Sequence, residues 1–167
     1  WNCADGSRVD LNVAGLTESW ASHVANGQMV GTGYGAATGG YKHAVLWTDA
    51  SHIVDLHPTG FANSHAVELC NGQQVGYGDG PTTNWYSHAL LWSGSAASVV
   101  DLTPSEFGST VAVNVDNDQQ VGRGSGGVAG FYDHALLWTG ATHRCVDLHP
   151  SAKFSSSTAV GVGNGQQ

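Results

Sequence analysis

The chain has 167 residues, 41% of them hydrophobic, enough to bury one core. Five Lys plus Arg stand against 13 Asp plus Glu, a formal charge of −8 with no basic stripe. That balance argues against nucleic acid and anionic membrane surfaces as partners, and no apolar run approaches the length of a bilayer span.

In chain order the sequence first offers Val9-Asp10-Leu11, with Trp1 ahead of it, and then Asn26-Gly27-Gln28 running into Val30-Gly31. HAVLW follows at 43–47, and HALLW stands at 88–92 and 134–138, intervals of 45 and 46 residues. After each pentad comes Val-Asp-Leu, at 54–56, 100–102 and 146–148. A Ser/Thr-x-Ala-like stretch comes next, read as Ser64-His65-Ala66, Thr110-Val111-Ala112 and, in the last copy, Thr158-Ala159-Val160. The later turns are Asn71-Gly72-Gln73, Asn117-Asp118-Gln119 and Asn164-Gly165-Gln166, with Val75-Gly76 and Val121-Gly122 behind the first two.

A fixed period in the 40s marks a repeat architecture in which each unit packs on its neighbours. Within a unit the apolar runs are short, rich in Val, Leu, Trp and Ala, and bounded by Gly, Asn, Asp, Ser and Pro, which reads as strand. No stretch keeps a helical period, and 24 Gly would penalise one. Asn-Gly before Gln-x-Val-Gly predicts a type I′ hairpin, because both central residues of that turn need positive φ. Four strands per unit follow, and the expected fold is all-β and β-propeller-like, with four-stranded antiparallel blades. A β-trefoil or another repeat β fold is the alternative. The whole of 1–167 reads as a single repeat domain, three full units with partial units at both ends. Those partial ends predict a larger parent chain or self-association that completes the fold.

On the elements HALLW, VDL, SxA and NGQxVG the chain resembles the tandem repeat called HAF. The family's third pentad letter is usually Phe, where this chain has Val45, Leu90 and Leu136. The resemblance implies a secreted or cell-surface repeat protein of unassigned activity. Localisation is therefore expected to be extracellular.

His43, His88 and His134 occupy one position of the repeat, so the fold is expected to demand them. A hydrogen bond to Asp55, Asp101 and Asp147 would satisfy that demand. The sharper reading, a ring of His on a metal, needs several of them to converge; no metal and no cofactor is expected. His52, His57, His143 and His149 fall in turns, and most of them are expected in solvent. Cys3, Cys70 and Cys145 are odd in number and non-equivalent, so one pair with a leftover thiol and three small core residues both stay open.

Catalytic motifs are scarce. Gly122-Arg123-Gly124-Ser125-Gly126-Gly127 matches GxGxxG, but no helix follows and it reads as a loop. There is no Gly-x-Ser-x-Gly and no His-Glu-x-x-His. Carboxylates assembled from separate blades leave a hydrolase as the third reading.

Alternating strand direction puts the loop before HALLW and the loop after VDL at one end of the sheet. The first loop carries Tyr41, Trp85-Tyr86 and Phe131-Tyr132; the second carries Phe61, Phe107 and Phe154. Rings among Gly, Ser, Asn and Asp suit the C–H face and the hydroxyls of a pyranose. The repeated Tyr and Phe also serve as ordinary closures of the core. Trp85 is not demanded by the repeat, since Gly40 and Phe131 stand at its place, and it is the better ligand contact. Trp20 is non-repeated too, but its neighbourhood suggests core. The leading expectation is a non-enzymatic module binding glycans, with one shallow site per blade. An assembly unit without a small ligand is the alternative.

Overall fold

The computed structural model describes residues 10–13, 15–140, 142–150, 154–164 and 166. Trp1, Cys3, Val9 and Gly165, parts of the first and last motif copies, lie outside them. Among the described residues there are twelve strands in three four-stranded sheets and no α-helix. The first sheet orders β1 (Glu18–Ala25), β2 (Gln28–Tyr34), β3 (His43–Trp47) and β4 (Ile53–Asp55) in sequence. The second uses β5 (Asn63–Cys70), β6 (Gln73–Asp79), β7 (His88–Trp92) and β8 (Val100–Asp101). The third uses β9 (Ser109–Asp116), β10 (Gln119–Ser125), β11 (His134–Thr139) and β12 (Arg144–Asp147). All neighbours are antiparallel, and each sheet carries the motifs in the order Ser/Thr-x-Ala, Gln-x-Val-Gly, HALLW or HAVLW, and Val-Asp.

The hairpins turn where the sequence placed them. Asn26 and Gly27 have φ of 50° and 76°, Asn71 and Gly72 of 49° and 79°, the left-handed pair that a type I′ turn requires. The Val-Gly motif has a separate cause. The first strand of each sheet is bulged opposite it, and a Cβ on Gly31, Gly76 or Gly122 would overlap the carbonyl of Trp20, His65 or Val111.

The cores lie between successive sheets. Val30, Ala44, Leu46 and Leu56 of the first unit pack with Ala66, Leu69, Leu90 and Trp92 of the second; an equivalent cluster joins the second and third. Trp47, Trp92 and Trp138 are fully buried. Trp138 donates its indole N–H to the Leu102 carbonyl at 2.7 Å, and Trp47 donates to Leu11 at 3.0 Å, so these two Trp are each fastened to the Leu of the preceding Val-Asp-Leu copy.

The Ser/Thr-x-Ala motif is the second seam. Ser64 donates its backbone N–H to the Lys42 carbonyl at 2.8 Å, and its Oγ accepts the Ala44 N–H at 2.9 Å. Thr110 repeats both bonds with Ser87 and Ala89, at 2.7 and 2.9 Å. In the last copy Ser157 makes them, with Asp133 and Ala135 at 2.8 and 3.0 Å. The motif there begins at Ser157, one residue before the Thr158 read from the sequence.

Candidate ligand-binding clefts

His43, His88 and His134 open β3, β7 and β11, where their Nδ1 atoms lie 2.8, 2.6 and 2.8 Å from Oδ2 of Asp55, Asp101 and Asp147. The other oxygen of each carboxylate accepts the backbone N–H two residues on, from His57, Thr103 and His149, at 2.8, 2.9 and 2.8 Å. One carboxylate thus braces the third strand against the loop that leaves the fourth. In the neutral ring that bond uses Nδ1–H, leaving Nε2 as an acceptor. Among the described residues no three His, Cys, Asp or Glu side chains converge as metal ligands.

Of the four turn histidines, most of them expected in solvent, His57 and His149 are half-buried members of the same seam. The Nδ1 of His57 lies 2.8 Å from Ser64 Oγ, and its Nε2 lies 3.2 Å from the Phe61 carbonyl. A carbonyl only accepts, so Nε2 carries the proton and the Ser64 hydroxyl donates to Nδ1. His149 repeats this with Ser157 and Phe154, at 2.8 and 3.0 Å. His57 stacks on His43 with ring centres 3.8 Å apart, and His149 on His134 at 4.0 Å. Burial, and after it the charge of a protonated His43, push the His57 pKa below the ordinary histidine value. His143 is partly buried, with φ 49°, and its Nδ1 has no partner among the described residues. His52 is exposed, 2.8 Å from Asp49. Cys70 and Cys145 are free thiols, and burial pushes the Cys145 pKa up to about 11; Cys3 lies outside the described residues.

The loop before the third strand and the loop after the fourth leave each sheet at the same end, and two clefts that these loops line lie between units. The larger, of about 560 Å³, is lined by Tyr41 of the first unit and Trp85 of the second. His43, His57, Gly60 and Phe61 contribute to its lining. The next seam repeats the arrangement in a cleft of about 300 Å³ between Tyr86 and Phe131.

Trp85 stands 62% exposed at φ 65°, directly after Asn84 at φ 51°. A bulky side chain in the left-handed region is strained, and the Gly40 at the same place of the first unit, at φ 81°, shows that the fold does not require one. The loop around it is well fixed. Thr83, buried, accepts the Gly80 N–H at 3.1 Å through its hydroxyl oxygen, and Trp85 donates its own N–H to the Gly80 carbonyl at 2.9 Å. Thr82 donates to the Gly60 carbonyl at 2.8 Å, tying the Trp85 loop to another segment that lines the cleft.

Tyr41, Tyr86 and Tyr132 are 54%, 58% and 57% exposed, so they do not close the core. Phe131 is fully exposed. Phe107 is largely buried in the core between the second and third sheets, edge-on to His134 at 6.3 Å, and lines a separate cleft of about 320 Å³ with Glu106, Val128 and Cys145. Phe61 is intermediate, packed on the first core and lining the larger cleft. Trp20, expected in the core, is 47% exposed. The GxGxxG segment is not a loop throughout: Gly122–Ser125 belongs to β10, and a single 3-10 turn, Gly127–Ala129, follows. The sequence reading missed the seam role of Ser64, Thr110 and Ser157, whose partners sit in the preceding unit. No family model, curated protein or solved structure matches the chain.

Proposed function

We propose that this protein is an extracellular, non-enzymatic carbohydrate-binding module of propeller-like architecture, of the HAF repeat type. The observation that carries the reading is Trp85, an exposed indole in a strained conformation that lines one cleft together with Tyr41. Two rings lining a cleft offer apolar faces to the C–H side of sugar rings. The Nε2 of His43 and the hydroxyls of Tyr41 and Thr82 supply polar partners for sugar hydroxyls. Recurrence of the arrangement at Tyr86 and Phe131 favours a polymer that engages both clefts, because linked weak sites gain affinity by effective concentration. Binding of labelled protein to a glycan panel tests this, with and without chelator and with Trp85→Ala as the comparison. Selective binding lost in the variant while its fold persists supports the reading; silence of the wild type across the panel opposes it.

A second reading, an assembly unit, draws on Val24 and Val160, 65% and 77% exposed. The segment holding Val160 already bonds to the third sheet, through Ala159 N–H to the Gly122 carbonyl at 3.2 Å. A second copy or a further part of the parent chain covering those side chains is the corresponding proposal, tested by the oligomeric mass in solution.

A further inference from the structure

A smaller cleft, of about 200 Å³, opens at the same seam between the first and second sheets, lined by Trp20, Thr32, Lys42 and His65. It is not a product of the repeat. The residues equivalent to Lys42 are Ser87 and Asp133, and those equivalent to Thr32 are Tyr77 and Arg123. In the third unit Arg123 and Asp133 pair at 3.4 Å and neutralise each other. The first unit has no such pair: the Lys42 ammonium lies 5.7 Å from the centre of the Trp20 ring and makes no ion pair among the described residues. A cation without a carboxylate is conspicuous in a chain of net charge −8.

The groups around Lys42 are held in place. Its backbone N–H donates to Asn63 Oδ1 at 3.3 Å, and Asn63 Nδ2 in turn donates to Asp79 at 3.0 Å. His65 has its Nδ1 3.1 Å from the Thr32 hydroxyl and its ring stacked on Tyr77 at 4.8 Å. Burial first, and Lys42 second, push the His65 pKa below the ordinary value, so at neutral pH it offers hydrogen bonding and not a second positive charge. One cation, one neutral imidazole and one exposed indole fit a singly charged planar anion borne on an apolar ring. A phosphate monoester, close to doubly charged at neutral pH, would call for more positive charge than the cleft supplies, and a sulfate ester, singly charged but tetrahedral, lacks the flat face that lies against an indole.

We propose that this cleft is a subsite for the carboxylate of a uronic acid residue, with Lys42 holding the carboxylate and Trp20 contacting the sugar ring. The proposal rests on the carbohydrate-binding reading, and it deepens it: Lys42 directly follows Tyr41, which lines the larger cleft, so one acidic glycan chain reaches both.

The test is calorimetric titration with tetramers of galacturonate, glucuronate and mannuronate, each as the free acid and as the methyl ester, which keeps the ring and removes the charge. For at least one sugar the wild type is expected to prefer the acid by about fivefold, the scale of one exposed charge pair. Lys42→Gln, on an exposed side chain, should equalise acid and ester while leaving ester binding and the melting temperature unchanged. Equal binding of acid and ester by the wild type, or a preference that survives Lys42→Gln, overturns the subsite and leaves the neutral-glycan reading standing. Acetate that competes as well as the uronate overturns the sugar assignment in favour of a bare anion site. Failure of every neutral and acidic glycan to bind overturns the subsite and the underlying reading together.

Discussion

The side-chain oxygen of Ser64 accepts the backbone N–H of Ala44 at 2.9 Å, joining two sheets through residues 20 positions apart. Thr110 and Ser157 do the same for Ala89 and Ala135, so the hydroxyl is the repeating fastener between units. Ser64 is fully buried, and its removal strands a buried N–H. Ser64→Ala is expected to cost about 1–3 kcal/mol, with Ser64→Thr largely restoring it because Thr serves at position 110. Urea denaturation of both variants checks this.

The two seam Trp residues separate packing from hydrogen bonding. Trp138 donates to Leu102, while Trp92, equally buried, has no partner for its Nε1 among the described residues. Replacement by Phe removes comparable volume from each, but only Trp138→Phe removes a bond and leaves a carbonyl unpaired. That variant should be less stable than Trp92→Phe by about 1 kcal/mol. Equal losses in chemical denaturation would show that the indole bond contributes nothing.

The stacked imidazoles make the seam acid-sensitive. A histidine whose pKa is lower folded than unfolded contributes full stability above the unfolded value of 6.5, and the contribution is lost as pH falls through the folded value. His57 and His65 both have this sense. Glu68, whose pKa burial raises from 4.5, has the opposite one and gains stability as pH falls. His57→Thr copies the second unit, where Thr103 and Thr110 pair hydroxyl to hydroxyl at 2.6 Å. This variant is expected to fold and to lose less stability than the wild type between pH 6.5 and the lower folded value. Thermal melts across that range read the difference, and parallel curves would remove His57 from the account.

Much of the fold was legible because each motif recurs with its own partner nearby in the chain. His43 and Asp55 are twelve residues apart and reappear together, so their bond could be read from spacing. The seams were less legible. Ser64 looks like one more polar strand residue until Ala44 of the preceding unit is set beside it. Phe61, Phe107 and Phe154 share one motif position, yet the first is half-buried, the second buried and the third 63% exposed. Their surroundings depend on the following unit, which local pattern does not encode. Trp20 misled for the same reason: an apolar residue on a strand reads as core, but the groups it meets are Thr32, Lys42 and His65 across a cleft.

Trp85 offers the most direct test of the central claim, because stability and binding should move apart there. Trp85→Gly places in the second unit what Gly40 provides in the first, and relieves a left-handed conformation that costs an L-residue about 1–2 kcal/mol. Glycine's greater freedom in the unfolded chain offsets part of that gain, so the net stabilisation should be up to about 1 kcal/mol. The measurement is the melting temperature of wild type and Trp85→Gly, paired with their affinity for the glycans the wild type selects from a panel. A melting temperature held or raised, with affinity at least about tenfold weaker, is the predicted result. A variant that unfolds at lower temperature while glycan affinity is unchanged would make Trp85 a structural residue and contradict the account.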